Sequence, residues 1–255
     1  MLAKKKENVS RSAAALTSKT PFQIVEAYKA IRANLLFMLS TAAEKAVVVT
    51  SAEPSVGKST TCSNLAITMA QTGAKVVIVD ADMRKPVLHK IFRVSNNNGL
   101  SKLLSGLIKP LSSLDKLLSG LIKPEDCINK SIMPNLDLIN AGPIPPNPSE
   151  LLGSERMAGL LQTLSASYDY IFLDAPPINV VADSLMFLDK TAGAILVARQ
   201  KQTHYDELQK AAESIRNLHS SVLGVVITDV SETNKPYAMY KSYKYKSYDY
   251  EYKKV

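Results

Sequence analysis

Tryptophan is absent from this sequence of 255 residues, and cysteine and histidine are scarce. The two cysteines, Cys62 and Cys127, form no CxxC pair, and the three histidines have no metal-binding spacing, which argues against a disulfide scaffold or a zinc site. No apolar run approaches the roughly 18 residues of a membrane-spanning helix, and the basic start lacks the apolar stretch of a signal peptide. We therefore expect a cytoplasmic globular protein.

The net charge of +8 is concentrated at the two ends of the chain. Residues 1–20 carry five basic side chains against Glu7, and residues 235–255 carry six lysines against Asp249 and Glu251. Between them, residues 21–234 contain 20 basic and 20 acidic side chains. A nucleic-acid-binding groove in the folded part is therefore not indicated, and no nucleic-acid partner is expected.

Three regions follow from this organisation: a basic N-terminal arm (1–20), a folded domain (21–230) and a tyrosine-rich tail (231–255). Thr20 as the N-cap and Pro21 as the first helical residue predict the start of a helix, and the apolar residues that follow at helical spacing predict a length of about 20 residues. Short apolar runs that alternate with helical stretches then predict strands at 46–51, 75–80, 136–140, 169–174, 193–198 and 222–229. Such strands need cover on both faces, which predicts an α/β fold with an open, mostly parallel sheet between helices.

A local duplication interrupts this pattern. The segments 100–110 (LSKLLSGLIKP) and 114–124 (LDKLLSGLIKP) are identical at ten of eleven positions. A solenoid needs more copies and a longer period. We interpret the segment as a tolerated surface insertion, with a binding role as the alternative.

A candidate phosphate-binding loop follows the first predicted strand. The run AEPSVGKS, from Ala52 to Ser59, leads from that strand into a predicted helix, which is the context of a P-loop. Lys58 would contact the β- and γ-phosphates of ATP, and the Ser59 hydroxyl would bind Mg²⁺. Ala52 and Ser55 stand where glycine is common. The residues predicted to bind the nucleotide are Glu53, Pro54, Ser55, Val56, Gly57, Lys58, Ser59, Thr60 and Arg84.

Three aspartates follow two other predicted strands. Asp80 ends the strand at 75–80, and if the strand continues through Asp82, both side chains point to one face. Asp174 ends the strand at 169–174. Ligands of open α/β sheets bind at the carboxyl ends of strands, so these acids should converge on the P-loop. We assign Asp80 and Asp174 to Mg²⁺ and Asp82 to the proton of an incoming hydroxyl, with Lys58 completing the predicted catalytic set. The alternative for any one of these aspartates is to cap a helix.

Several of these motifs resemble one protein family. VVIVDADMRKP (76–86), IFLDAPP (171–177) and AGPIPPNPSELL (141–152), together with the P-loop, are similar to motifs of the BY-kinases, the bacterial tyrosine kinases of capsule and exopolysaccharide operons. The resemblance extends from about Pro21 to the last residue. It implies a P-loop fold and an ATP- and Mg²⁺-dependent kinase that phosphorylates tyrosines in the tail of a neighbouring subunit and regulates polysaccharide synthesis and export.

The same resemblance implies partners. They are a transmembrane activator of the polysaccharide co-polymerase type, which would keep the chain at the inner face of the cell membrane, a cognate tyrosine phosphatase, and further copies of the chain in a ring. Glu26, Lys29 and Arg32 are similar to the oligomerisation motif of that family. Their three-residue spacing also fits a solvated ladder of charges along one helix, which is the alternative.

The tail supplies candidate phosphate acceptors. Seven of the eleven tyrosines fall within 16 residues, interleaved with lysine and serine and without an aliphatic pattern, which predicts a disordered segment. Seven phosphotyrosines would change the charge of residues 235–255 from +4 to about −7 to −10. A tail of lysines and aromatic residues that binds single-stranded nucleic acid is an alternative. The predicted acceptors are Tyr237, Tyr240, Tyr243, Tyr245, Tyr248, Tyr250 and Tyr252.

The strongest rival from another class is a deviant-Walker ATPase of the partition or cell-division type, which acts as a nucleotide-switched positioning protein. Such proteins carry a signature lysine five residues before the P-loop lysine, where this chain has Glu53. A tyrosine-rich tail also has no role in that reading. The sequence therefore favours the kinase.

Overall fold

Strands and helices alternate through the part of the chain that this computed structural model describes, residues 15–105 and 127–230. The strands are β1 (Ala46–Ser51), β2 (Val76–Asp80), β3 (Ile128–Met133), β4 (Leu136–Ile139), β5 (Tyr170–Asp174), β6 (Gly193–Arg199) and β7 (Val222–Thr228). The helices are α1 (Phe22–Leu39), α2 (Lys58–Ala70), α3 (Leu88–Phe92), α4 (Leu100–Ser105), α5 (Pro148–Leu152), α6 (Glu155–Ser167) and α7 (Tyr205–Arg216). Two short 3₁₀ turns, Ala182–Leu185 and Leu188–Lys190, lie between β5 and β6.

The strands form one sheet in the order β3-β4-β2-β5-β1-β6-β7. Every neighbouring pair is parallel except β3 and β4, which are antiparallel. Strands β1, β2 and β5 are buried on both faces, which explains why their sequences are apolar without alternation. The predicted open, mostly parallel sheet is confirmed.

Helices cover both faces of this sheet. On one face, Val47, Val49 and Phe172 pack with residues of α1, α2 and α3. On the other face, Val48 and Leu173 pack with residues of α4, α5, α6 and α7. Successive strand residues point to opposite faces, so each strand contributes to both clusters. The sheet therefore lies between two helical layers.

One strand was not predicted from the sequence. The β3 segment, INKSIM, is partly exposed and contains polar residues in its middle, so it lacks the apolar run that marked the other strands. It lies at the edge of the sheet, and its pairing with β4 is irregular between Asn129 and Met133. An edge strand is stabilised mainly by backbone pairing with its neighbour, which leaves a weak signal in the sequence.

The first helix begins one residue later than the sequence suggested. Helix α1 starts at Phe22, and Pro21 occupies the cap position without a side-chain cap. The Thr20 hydroxyl accepts a hydrogen bond from the Thr17 N–H at 2.9 Å, so it closes a turn that precedes the helix. Thr20 is therefore not the helix cap that the sequence pattern predicted.

Several predictions concern residues outside the described part of the chain. Those residues are most of the basic arm (1–14), most of the duplicated segment (106–126) and the tail with its seven tyrosines (231–255). Within residues 15–105 and 127–230, no helix has the length and apolar character needed to cross a membrane.

Candidate active site

The candidate site lies where three neighbouring strands end. Strand β5 pairs with β2 on one side and β1 on the other, and all three are parallel. Their carboxyl ends therefore share one edge of the sheet. The loop after β1 carries the P-loop residues, while Asp80 of β2 and Asp174 of β5 are direct partners in the ladder. The fold thus brings the three predicted motifs together, as expected of an open α/β sheet.

The P-loop turns sharply before helix α2. Ser55 has a φ of 66° and Gly57 a φ of 94°, and both values lie in the left-handed region. Among the described residues, no side chain caps the start of α2 at Gly57. The first N–H groups of a helix have no partner within the helix, so this end is suited to a phosphate group. Ser55 adopts the conformation that a glycine would take more easily.

Side chains at the ends of β6 and β7 contact this loop. The Thr228 hydroxyl donates to the Val56 carbonyl oxygen at 2.6 Å. The Arg199 guanidinium donates to the Ser55 carbonyl oxygen at 3.3 Å and pairs with Asp229. These contacts could not be predicted from the sequence, because they depend on which strand ends lie beside the loop.

Lys58 is the first residue of α2, and its side chain is only 9% exposed. Its Nζ lies 2.7 Å from Asp174 Oδ1, 3.7 Å from Asp82 Oδ2 and 3.4 Å from Ser59 Oγ. Burial lowers the pKa of Lys58, but the charges of Asp174 and Asp82 outweigh this effect and raise the pKa above its usual value. The lysine is therefore a permanent cation at the centre of the site.

Asp80 is fully buried and contacts the start of α3. Its Oδ2 accepts hydrogen bonds from the N–H groups of Val87 and Leu88 at 3.1 and 3.0 Å. Its Oδ1 is buried without a hydrogen-bond partner among the described residues, and so is Oδ2 of Asp174. Burial, together with the charge of Asp174, raises the pKa of Asp80 well above its usual value. Asp80 thus anchors the start of α3 and also faces Asp174.

Asp82 lies just beyond the end of β2, so the sequence-based condition that the strand continues through it is not met. Its Oδ1 accepts a hydrogen bond from the Lys85 N–H at 3.0 Å, and Oδ2 faces Lys58. Burial raises its pKa, although Lys58 acts in the opposite direction. A turn, rather than strand geometry, therefore aims Asp82 into the site.

These groups fit a magnesium nucleotide. Two buried carboxylate oxygens without partners, Asp80 Oδ1 and Asp174 Oδ2, are hard oxygen ligands of the kind that Mg²⁺ prefers, directly or through water. The Ser59 hydroxyl lies 3.4 Å from Lys58 Nζ, which itself contacts Asp174. In the described residues, no cluster of three or more His, Cys, Asp or Glu side chains is suited to a metal. A metal here would therefore depend on two carboxylates, a hydroxyl, water and phosphate oxygens.

The residues predicted to contact the nucleotide differ in their exposure to solvent and in their partners. Glu53, Ser59 and Thr60 are partly exposed and Val56 is buried, while Pro54 and Ser55 face solvent. Arg84 differs most from the prediction. Its Nε and NH2 groups donate to the two oxygens of Asp183 at 2.7 and 3.0 Å, so its guanidinium is committed to a carboxylate of this chain.

The predicted oligomer residues make contacts within the chain. Lys29 Nζ pairs with Glu26 Oε1 at 2.8 Å, as the alternative of a charge ladder expects. Arg32 NH1 donates to the Thr68 carbonyl oxygen at 2.6 Å and so joins α1 to α2. Glu26 and Lys29 lie at the surface, and a role between subunits stays a prediction.

Comparisons with known proteins agree with this geometry. The model of the AAA domain family matches residues 44–222. CapB of Staphylococcus aureus, which is named as a tyrosine-protein kinase, is 34% identical over 240 residues, covering 94% of this chain and 98% of CapB. The tyrosine-protein kinase YwqD of Bacillus subtilis strain 168 is 37% identical over 202 residues, 79% of each chain.

Solved structures also share this fold. A crystal structure of the chimeric protein CapA2B2 is similar with a TM-score of 0.72 and 38% identity, covering 82% of this chain and 85% of the other. An ATP complex of a McdA variant from Cyanothece has a TM-score of 0.58 at 22% identity, covering 73% of this chain and 70% of the other. The second likeness concerns the fold alone.

Proposed function

This chain belongs to the bacterial tyrosine-protein kinases, and on that premise we propose that it transfers the γ-phosphate of ATP, with Mg²⁺, to tyrosines in the C-terminal tail of a neighbouring subunit. The observation that carries the proposal is the convergence of Lys58, Asp82 and Asp174 beside a P-loop. The cluster of tyrosines in residues 237–252 supports it from the sequence.

The last described residues of the folded domain support this proposal. Thr228, the last residue of β7, contacts the P-loop through the Val56 carbonyl oxygen. The structure describes the chain only two residues further, to Val230, so the described part ends next to the nucleotide site. At about 3.3–3.6 Å per residue, the residues from Ser231 to Val255 could span up to about 80–90 Å.

The chain's own residues would act mainly by positioning and by charge. The backbone N–H groups at the start of α2 and the Lys58 ammonium would hold the phosphates and stabilise negative charge in the transition state. To do so, Lys58 must exchange part of its contact with Asp174 for phosphate oxygens. Asp80, Asp174 and Ser59 would hold Mg²⁺, which supplies further charge neutralisation when bound.

Asp82 is the proposed acceptor of the phenolic proton. A tyrosine has an ordinary pKa of about 10, so a carboxylate within hydrogen-bond reach assists the loss of its proton. Asp82 is the most exposed of the three aspartates, with 11% of its side chain accessible against 1% for Asp174. A substrate hydroxyl can therefore approach it from solvent, whereas Asp80 and Asp174 are buried.

We further propose that the kinase regulates capsular or exopolysaccharide synthesis and export. A transmembrane activator of the co-polymerase type would hold it at the inner face of the cell membrane, and a tyrosine phosphatase would reverse its modification. The support is the family resemblance and the name of a relative from Klebsiella pneumoniae, a tyrosine-protein kinase in a cps region. The folded domain at 21–230 and the tail at 231–255 would be its working parts.

Incubation with labelled ATP and Mg²⁺ tests this function. The full chain is compared with Lys58→Met, with a chain that ends at Val230, and with a full-length chain in which the seven tail tyrosines are phenylalanine. Each is assayed alone and with the cytoplasmic segment of the activator. Label on tyrosine is expected in the unmodified chain only. ATP hydrolysis without phosphotyrosine, even with the activator segment, would contradict the proposal and favour the positioning ATPase.

A further inference from the structure

Asp183 is a buried carboxylate that the proposed chemistry does not use. It lies in the 3₁₀ turn Ala182–Leu185, and its side chain is 0% exposed. Arg84 donates two hydrogen bonds to it, and the Ser149 hydroxyl donates a third to Oδ1 at 2.6 Å. Burial raises the pKa of Asp183, but these hydrogen bonds outweigh burial and hold the pKa below its usual value. The carboxylate is therefore charged and rigidly held.

The three residues lie in three different connections between strands. Ser149 belongs to α5, which follows β4, whereas Arg84 follows β2 and Asp183 follows β5. Strands β4, β2 and β5 are neighbours in the sheet. One carboxylate thus joins three connections that follow neighbouring strands, at the edge of the sheet where the candidate site lies. A bidentate pair between arginine and a carboxylate fixes orientation as well as distance, which makes this joint stiff.

Hydrogen bonds connect both partners of this ion pair, Asp183 and Arg84, to segments of the candidate site. The Ser184 hydroxyl donates to the Pro176 carbonyl oxygen at 2.5 Å, which fastens the turn of Asp183 to the segment after Asp174. On the other side, Arg84 lies in the turn that the Lys85 N–H closes on Asp82. A movement of the Arg84 side chain would therefore be transmitted to Asp82, whose Oδ2 lies 3.7 Å from the Lys58 ammonium.

We propose that Arg84, Asp183 and Ser149 form a positioning cluster that holds Asp82 in its working orientation towards Lys58 during phosphoryl transfer. This inference deepens the proposed function and rests on it. It is an alternative to the sequence-based assignment of Arg84 to the nucleotide, because the Nε and NH2 groups of the guanidinium are already bound to Asp183. The cluster acts through Asp82, so its loss should slow the transfer step and leave nucleotide affinity nearly unchanged.

The experiment separates the rate of transfer from nucleotide binding. Arg84→Gln, Asp183→Asn and Ser149→Ala are compared with the unmodified chain, and Asp189→Asn serves as control because Asp189 is an exposed carboxylate paired with its neighbour Lys190. We measure phosphotyrosine formation at saturating ATP with the activator segment present, the Kd of a fluorescent ATP analogue, and the Tm. A displaced catalytic group costs up to about 100-fold in rate.

Arg84→Gln and Asp183→Asn should each slow transfer by about 10–100-fold while the Kd changes less than about twofold. Ser149→Ala should have a smaller effect in the same direction, and Arg84→Lys, which keeps the charge, should recover part of the rate. The double variant Arg84→Gln with Asp183→Asn should be no slower than its slower parent, because both changes remove one interaction.

Three results would overturn the inference. They are unchanged rates, losses that multiply in the double variant, and a weakened Kd with an unchanged rate at saturation, which would show that Arg84 contacts the nucleotide. If Asp183→Asn does not fold, Arg84→Gln decides, since the Arg84 side chain is 42% exposed. If the unmodified chain forms no phosphotyrosine, the proposed function fails, and the rate of ATP hydrolysis tests the cluster instead.

Discussion

At the scale of single residues, the site concentrates negative charge that the fold does not neutralise. Asp80, Asp82 and Asp174 share one lysine, and two of their oxygens are buried without partners in the described part of the chain. A buried, unpaired polar oxygen costs free energy of folding. This arrangement is typical of a site whose stability is limited by its function, because the missing partners are the groups that it binds.

Asp80→Asn should therefore make the folded protein more stable at pH 7. Burial raises the pKa of Asp80 in the folded state, so the folded state binds this proton more tightly than the unfolded chain. Stability is then lost as pH rises from the ordinary carboxyl pKa of about 4 through the folded-state value. The asparagine can keep the bonds from Val87 and Leu88, and we expect a gain of about 1–2 kcal/mol at pH 7.

Denaturant unfolding between pH 4 and pH 8 measures this effect. The difference between Asp80→Asn and the unmodified chain should grow with pH and be smallest near pH 4, where the carboxyl is protonated in the folded state and only about half ionised in the unfolded chain. Asp189→Asn, at an exposed position, is the control and should show no such trend. Equal stability of Asp80→Asn and the unmodified chain at pH 7 would show that the buried Asp80 carboxyl group does not lower the stability of the folded protein.

Asp82→Asn separates chemistry from binding. If Asp82 accepts the phenolic proton, the asparagine variant should lose at least about 100-fold in tail phosphorylation. Nucleotide binding should stay within about threefold, because the P-loop and Lys58 remain. The Kd of a fluorescent ATP analogue and the yield of phosphotyrosine give the two readings. Retained phosphotyrosine would refute the assignment of Asp82 as the base.

At the scale of elements, α1 is attached to the domain by an apolar face and by a polar contact to α2. Arg32 reaches the Thr68 carbonyl oxygen in α2, and Leu35 is buried against the same layer. Most other side chains of α1 are exposed or half-buried, including Phe22 and Phe37 at 65% and 82%. Part of the surface of α1 is therefore available for other contacts, and Arg32 holds the helix to α2.

Arg32→Ala should lower stability by about 1.5–3 kcal/mol, since a charged hydrogen bond to the backbone carbonyl of the buried Thr68 is lost. Glu26→Ala breaks only an exposed pair within the helix and should change stability by less than about 0.5 kcal/mol. Thermal unfolding measures both. The two variants thus distinguish a tether inside the chain from a contact between chains.

Gel filtration of the same variants tests the proposed oligomer. If Glu26 and Arg32 contact a neighbouring subunit, the double variant Glu26→Ala with Arg32→Ala should elute as a smaller species, and Glu26→Ala alone should move in the same direction with an unchanged Tm. A large oligomer that survives both substitutions would exclude the contact between subunits.

At the scale of the whole molecule, the proposed reaction requires two chains. A chain with Lys58→Met keeps its tail but lacks the phosphate-binding lysine, whereas a chain that ends at Val230 keeps the site but lacks the tail. Mixed together, they should produce phosphotyrosine on the Lys58→Met chain only. Mass spectrometry of the mixture measures this transfer, and neither chain should be labelled alone. Labelling of a full chain at a rate independent of its concentration would instead indicate transfer within one subunit.

The sequence by itself determined the sheet and the motifs. Buried strands such as β1 and β2 are apolar along their whole length, and the P-loop, Asp80 and Asp174 directly follow such runs. These signals are local, so they can be read without knowing the neighbours. The edge strand β3 left no such signal, because its residues are half-exposed and its pairing is irregular.

Only the tertiary structure decided which groups bind each other. Arg84 and Asp183 are 99 positions apart, and Thr228 and Val56 are 172 apart, so no local pattern links either pair. From the sequence alone, a guanidinium beside a phosphate-binding motif is predicted to bind phosphate. In the structure, its partner is a buried carboxylate. The identity of a side chain sets the chemistry it can perform, but its partner is set by which strand ends adjoin in the sheet, and that order is a property of the folded chain.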